Sequence, residues 1–376
     1  MSLQLQETHL NMSGIVSDNT DKQSGLVKTP VLGPDSGASD PTVSTNPSAV
    51  GARHINTTSG EVFVATDVTA GENIWKGQLG TDVKPPSYFG ARGIFGGGYT
   101  GSADSDNIDY ITIATTGNAT DFGNTLAAKT IGGSQVSSGS RGVFGGGSGP
   151  GDNVMQYIAC ATTGDATDFG DLVGNHYNPT AVSNGTRGIW IGGNAANSDD
   201  PMDYITIASL GNATDFGDLG ANLQGGATCM SDVRGCYMGG HNGSAAVDTI
   251  WYITMATTGN GTDFGDLVQG GVYSLPAGCS NGTRGMIGGG ANPAKDVIEY
   301  ITIGTTGDST DFGNLTLARL QLTSVSDGTK GVWAGGSDSR LNTIDYVTIA
   351  SIGNASDFGD LSSTMSGLGG LSGDAS

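Results

Sequence analysis

The sequence predicts an all-β protein: a six-bladed β-propeller with four-stranded antiparallel blades, its ring closed by the C-terminal strand, preceded by an extended arm and a small β module. Three series of landmarks predict it. Asp-Phe-Gly followed by Asp or Asn begins at Asp121, Asp168, Asp215, Asp263, Asp311 and Asp357, at spacings of 47, 47, 48, 48 and 46 residues. A basic residue, Gly, a short mostly apolar run and Gly-Gly begin at Arg92, Arg141, Arg187, Arg234, Arg284 and Lys330. A Tyr on an Ile/Thr-rich run recurs at Tyr110, Tyr157, Tyr204, Tyr252, Tyr300 and Tyr346. Periods of about 40–50 residues with several short strands per unit mark a propeller.

The fifth unit shows how each blade is built. A short run, Ser274–Ser280, ends at Asn281-Gly282, a strong signal for a type I′ hairpin turn. Arg284-Gly285-Met286-Ile287 follows, then Gly288–Gly290. The Gly-Gly pairs allow close backbone approach and a sharp exit from the strand. A polar loop, Ala291–Asp296, leads to the strand Val297–Gly304, rich in Ile, Thr and Tyr. A turn over Thr305–Thr310 precedes the last strand, Asp311–Leu315. In Tyr300-Ile301-Thr302-Ile303 both faces carry bulky side chains, as expected of a sheet packed between two neighbours.

The chain ends suggest how the first blade is completed. Before Arg92, Lys84-Pro85-Pro86-Ser87-Tyr88 makes a poor first strand. After the last Asp-Phe-Gly-Asp, the tail has room for a first strand with no second strand after it. Five residues before five of the basic landmarks stand Val136, Val182, Cys229, Cys279 and Val325, and the tail offers Leu371 in the matching place. The tail is therefore expected to complete the first blade and remove an open edge.

The region before the repeats differs in composition. Residues 1–46, rich in Ser, Thr, Asp, Gly and Pro, read as an extended arm. Residues 47–85 read as a small β anchor module, in which Gly51-Ala52-Arg53-His54-Ile55-Asn56, Gly60-Glu61-Val62-Phe63-Val64-Ala65 and Ile74-Trp75-Lys76 suggest two or three strands around a Gly turn. Residues 86–376 are the propeller.

The order Gly-Gly, polar loop, Tyr strand, aromatic strand resembles the Kelch repeat. Gly97-Gly98, Tyr110 and Phe122 stand where that family has its Gly doublet, Tyr and Trp, and Phe replaces Trp in every unit. The run Ile108–Gly123 (Ile-Asp-Tyr-Ile-Thr-Ile-Ala-Thr-Thr-Gly-Asn-Ala-Thr-Asp-Phe-Gly) also resembles repeats in structural proteins of tailed bacteriophages, especially marine ones. That resemblance implies a non-enzymatic virion component, in the tail, neck, fibre or capsid. Residues 1–85 would dock onto other virion proteins, and the chain would be multimeric within an assembly. The region 47–85 is similar to small modules near attachment regions of phage fibre and tail proteins. It also resembles small chitin- or cellulose-binding modules, in which aromatics stack on sugars. Phe63 and Trp75 are the only residues for that role, and the alternative is that they form the core of a small sheet.

Composition narrows the partners. The net charge of −21 disfavours nucleic acid and anionic membranes and suits solubility in high salt. Met1–Asp18 lacks the basic start and apolar run of a secretion signal, and no run approaches a membrane span. This absence fits the virion component that the resemblance implies, made in a host cytoplasm and used outside, and it fits a cytosolic scaffold equally.

Candidate chemistry is sparse. Four cysteines show no metal spacing. Aligned on its sibling units, the fourth blade places Cys229 opposite Arg234 and Ala227 opposite Cys236, which predicts four free thiols. Galactose oxidase, of Kelch-type architecture, needs two His, two Tyr and a Cys crosslinked to one Tyr. The histidines here are His9, His54, His176 and His241, only the last two lie in the repeats, and no matching Tyr–Cys arrangement accompanies them. Sialidase-like propellers need an Arg triad and Asp-box turns, which the Asp-Phe-Gly series does not reproduce. Calcium loops gather three or more oxygen ligands within a dozen residues, more than Asn118-Ala119-Thr120-Asp121 offers. No catalytic residue, metal or cofactor is expected. The repeated Asp and basic residues read as structural, through turn hydrogen bonds or an Arg–Asp brace.

Specificity is expected in the non-repeated loops after the Gly-Gly pairs. These are Tyr99–Asn107, Ser148–Asn153, Asn194–Pro201, His241–Ala246, Ala291–Asp296 and Ser337–Asn342. They suit either solvated connectors or a surface for a host receptor or glycan, in the manner of a lectin-like adhesin. Tyr99, His241 and Trp75 are the candidate ligand-facing side chains.

Overall fold

Every regular element among the described residues is a β-strand. The structure is a computed structural model. It describes residues 35–41, 45, 47–68, 73–78, 82–83, 89–148, 153–193, 201–272, 274–290, 293–337 and 340–374. The chain divides into two units, Met1–Pro85 and Pro86–Ser376. Most of the expected arm, the segment 84–88 and the loop residues 194–200 lie outside the described residues.

The first unit is a five-stranded sheet in sequential order. Its strands are β1 (Asp35–Gly37), β2 (Arg53–Asn56), β3 (Val62–Asp67), β4 (Ile74–Gly77) and β5 (Asp82–Val83). β1 runs parallel to β2, and the remaining pairs are antiparallel. The sheet thus begins inside the segment read as an arm. The β2–β3 turn is set by Asn56, whose Oδ1 accepts the N–H groups of Thr58 and Ser59 at 2.8 and 3.1 Å. Its Nδ2 donates to Asp40 Oδ1 at 2.6 Å. Phe63, Ala65 and Trp75 are the buried core, with His54 edge-on to Trp75 at 6.1 Å.

The second unit contains six four-stranded antiparallel sheets, a β-propeller-like arrangement. In the first sheet the repeat supplies β6 (Arg92–Gly96), β7 (Asn107–Thr112) and β8 (Thr120–Asn124). The second holds β9 (Val136–Ser137), β10 (Arg141–Gly145), β11 (Val154–Ala159) and β12 (Thr167–Asp171). The third holds β13 (Thr180–Ser183), β14 (Arg187–Ile191), β15 (Pro201–Thr206) and β16 (Thr214–Asp218). The fourth holds β17 (Ala227–Met230), β18 (Arg234–Met238), β19 (Thr249–Thr254) and β20 (Thr262–Asp266). The fifth holds β21 (Ala277–Ser280), β22 (Arg284–Gly288), β23 (Val297–Thr302) and β24 (Thr310–Asn314). The sixth holds β25 (Thr323–Ser326), β26 (Lys330–Ala334), β27 (Thr343–Thr348) and β28 (Ser356–Asp360). The tail strand β29 (Gly369–Gly373) is the fourth member of the first sheet, pairing antiparallel with β6 and setting Leu371 opposite Ile94.

The repeated residues explain the repeated geometry. The Gly-Gly exit bends the chain where Gly97 and Gly98 hold φ of 67° and 110°, and a Cβ on Gly97 would collide with the Lys129 carbonyl. Asp-Phe-Gly forms a bulge in every sheet: Asp121 pairs with Asp109 and Gly123 with Ile108, leaving Phe122 as the extra residue. Phe122 and its equivalents are buried. The hairpin at Asn281 differs from the expected type I′ turn. Only Gly282 has positive φ, 83°, and it is the first of two central residues, as in a type II′ turn. Asn281 stands at the corner, where its Oδ1 accepts the N–H groups of Thr283 and Arg284 at 3.0 and 2.7 Å.

Candidate functional site

Each basic landmark opens the second strand of its sheet and lies over the Tyr of the third. The Arg284 guanidinium sits 4.4 Å from the Tyr300 ring centre, and Tyr300 meets Phe312 edge-on at 6.0 Å. The other sheets repeat this column, with Lys330 in the sixth 5.0 Å from Tyr346. The same cations reach the following sheet: Arg92 Nη1 donates to Cys160 O at 2.8 Å and Arg284 Nη1 to Ile349 O at 2.6 Å. The expected Arg–Asp brace is therefore corrected. The basic series does brace, but through a ring and a backbone carbonyl, and no ion pair joins it to the Asp series among the described residues. Asp121, Asp168, Asp215, Asp263, Asp311 and Asp357 stand exposed in the outer strand. The expected bonds in the turn before the last strand are not seen among the described residues; Asp215 accepts Gly217 N–H at 3.2 Å, but within the bulge of β16.

The side chains that bracket adjacent sheets lie three residues earlier and were not singled out in the sequence. Asn118, Asp165, Asn212, Asn260, Asp308 and Asn354 each accept a backbone N–H from the outer strand of a neighbouring sheet, at 2.9–3.2 Å. Buried acceptors on the Tyr strand form a further set. Gln156, Asp203, Glu299, Asp345 and Asp109 accept the N–H groups of Leu126, Val173, Gln269, Thr316 and Ser362. Burial raises the Glu299 carboxyl, opposed by its hydrogen bonds to Ser309 and Gln269. Burial lowers Arg319, opposed by Asp345, whose carboxylate lies 3.2 Å away. His176, buried between β12 and β13, meets one member of this set, with its ring nitrogens facing Asp203 Oδ2 at 3.0 Å and Gly192 O at 2.8 Å.

All four cysteines are buried free thiols. The expected register is corrected: Cys229 lies directly opposite Cys236, because β17 and β18 join through a tight turn in which Ser231 N–H bonds to Arg234 O. The Cys236 contact and burial hold the Cys229 thiol well above the ordinary range. Burial raises Cys160 to about 12 and Cys279 further. Among the described residues, no group of three or more His, Cys, Asp or Glu is placed to hold a metal ion. No helix among them is long and apolar enough to cross a membrane.

A cleft of about 280 Å³ opens among the connectors that lead into the inner strands. Tyr177, Asn178, Gln224, His241, Ser274 and Gln321 line it, with Gly225 and Leu275. The backbone of His241 exchanges two hydrogen bonds with Gln224, at 2.9 and 3.2 Å, which ties the loop after Gly239-Gly240 to the connector. His241 Nδ1 accepts Gly243 N–H at 3.0 Å, fixing the ring.

Of the expected ligand-facing residues, His241 is in this cleft. Tyr99 makes the matching backbone pair with Ser366, but it does not line the cleft; its hydroxyl donates to Gly101 O and Arg340 lies 5.2 Å over its ring. Trp75 is corrected: it is 1% exposed in the core of the first unit and has no face to offer a ligand. The connectors themselves were missed, although Asn178, Leu275 and Gln321 stand where other units have Gly. No protein-family model matches the chain, and no curated protein matches it.

Proposed function

We propose that residues 86–376 form a six-bladed β-propeller whose ring is closed by β29. In this reading the protein is a non-enzymatic virion component of a tailed phage. Residues 1–85 dock onto other virion proteins, and the propeller presents its loop face. The observation that carries the reading is the use of the repeated residues. The basic, Tyr and Phe series and the Asn/Asp brackets are engaged in joining sheets, and Lys330 of the sixth sheet donates to Ile113 O beside the first at 3.1 Å. This is the pattern of a scaffold that holds loops in place. The phage assignment is supported by the resemblance of Ile108–Gly123 to phage structural repeats, and the docking role by the division into two units.

A second reading, a receptor- or glycan-binding adhesin, is favoured by the cleft at Asn178 and Gln321. Electron cryomicroscopy of a purified particle containing the chain tests the first. Residues 1–85 ordered against another virion protein, with the propeller outward, is the expected result. A free monomer with no docking partner contradicts it.

A further inference from the structure

The connector into the inner strand takes a left-handed turn in all six sheets. The residue four places before Val136, Val182, Cys229, Cys279, Val325 and Leu371 has positive φ: Gly132 77°, Asn178 53°, Gly225 63°, Leu275 52°, Gln321 56° and Gly367 67°. Backbone bonds link these turns. Gly132 N–H donates to Gly367 O, Gly367 N–H to Gln321 O, Gln321 N–H to Ser274 O and Leu275 N–H to Gly225 O, at 2.8–3.0 Å.

Glycine adopts this conformation freely, and a residue with a Cβ does so at a cost. Three sheets use glycine. The other three place Asn178, Leu275 and Gln321 there, and Ser274 adds a second strained residue at φ 61°. All four line the one cleft with Tyr177, Gln224 and His241. Strain at non-glycine positions collects where a particular side chain is needed. Asn178 Oδ1 is buried beside the cleft with no hydrogen-bond partner.

We propose that this cleft binds a neutral saccharide. Three carboxamides, two hydroxyls and an imidazole line it, and no Asp, Glu, Lys or Arg does, in a chain of net charge −21. A carboxamide both donates and accepts, which matches the paired hydroxyls of a sugar. A charged ligand would find no counterion among these side chains. Tyr177, 45% exposed, offers a ring face for the apolar face of a pyranose, and Leu275 forms a buried wall. The volume is near the lower end of the ~300–1,000 Å³ typical of small-molecule sites, which suits a short segment or chain end. This proposal rests on the binding reading and is independent of the virion assignment.

The test is binding of the full chain to an array of neutral, sialylated and sulfated oligosaccharides, with saturation-transfer NMR on those retained. The variant Asn178→Gly with Gln321→Gly gives two connectors the residue that three sheets already use, so its fold is retained. Tyr177→Ala alters an exposed side chain only. The proposal predicts retention of neutral sugars and at least tenfold weaker binding by both variants, with melting temperatures near that of the parent. Retention of no neutral sugar, retention of charged sugars alone, or unchanged binding by folded variants would overturn it. None of those results bears on where residues 1–85 sit in a particle, so the two proposals fail separately.

Discussion

Lys330 Nζ donates to the carbonyl of Ile113 at 3.1 Å across 217 positions of sequence. It lies 5.0 Å from the Tyr346 ring centre and also donates to Ala114 O at 2.7 Å. The same bond, made by Arg in the other five sheets, joins sheets that follow each other in the chain.

Lys330→Ala removes a cation–π contact and charge-assisted hydrogen bonds together. The expected loss is about 1–2 kcal/mol, a fall in melting temperature of roughly 2–6 °C. Arg284→Ala should lose a similar amount, since its contacts are of the same kind. Scanning calorimetry measures both, and an unchanged melting temperature in either variant counts against the bracing role.

Glu299 supplies a prediction with pH. Its folded carboxyl is raised by burial, so the stability it contributes is present at low pH and is lost as pH rises through the raised value. Above that value the fold must hold a buried carboxylate. Glu299→Gln keeps an oxygen for Gln269 N–H, as Gln156 does for Leu126 N–H. The variant should melt roughly 2–4 °C above the parent at pH 8, with the difference vanishing near pH 4. A variant less stable at both pH values would show that the charge is not the issue.

Three of the four thiols, Cys160, Cys229 and Cys279, are both buried and raised, so thiolate is scarce at pH 8. The folded protein should react negligibly at these positions with a thiolate-selective disulfide reagent, and readily once unfolded in guanidinium. Rapid labelling of the native chain at any of the three would refute the buried placement.

Much of the fold was legible because it repeats. Spacing located the four strands of each unit, and Leu371 located the strand that joins β6, since an apolar residue at a fixed offset must face the same core. Register inside a hairpin was less legible. The tight turn closed at Ser231–Arg234 sets Cys229 against Cys236, as the same turn in the third and fifth sheets sets Val182 against Ile189 and Cys279 against Met286. The Asp121 series attracted attention as a charged repeat yet is solvent-facing, whereas Asn118 three residues earlier carries the contact between sheets. The cleft was least legible, because its signal is a missing glycine: Asn178, Leu275 and Gln321 become conspicuous only once Gly132, Gly225 and Gly367 reveal the φ their position requires.

In the proposed propeller the tail strand closes a ring of six sheets. Deleting residues 369–376 removes one of the two partners of β6, leaving it an open edge beside β7 and the first sheet one strand short. Urea unfolding of that truncated chain, followed by tryptophan fluorescence, is the direct test. A large fall in the midpoint and loss of a single cooperative transition are expected. An unchanged midpoint and slope would contradict that closure.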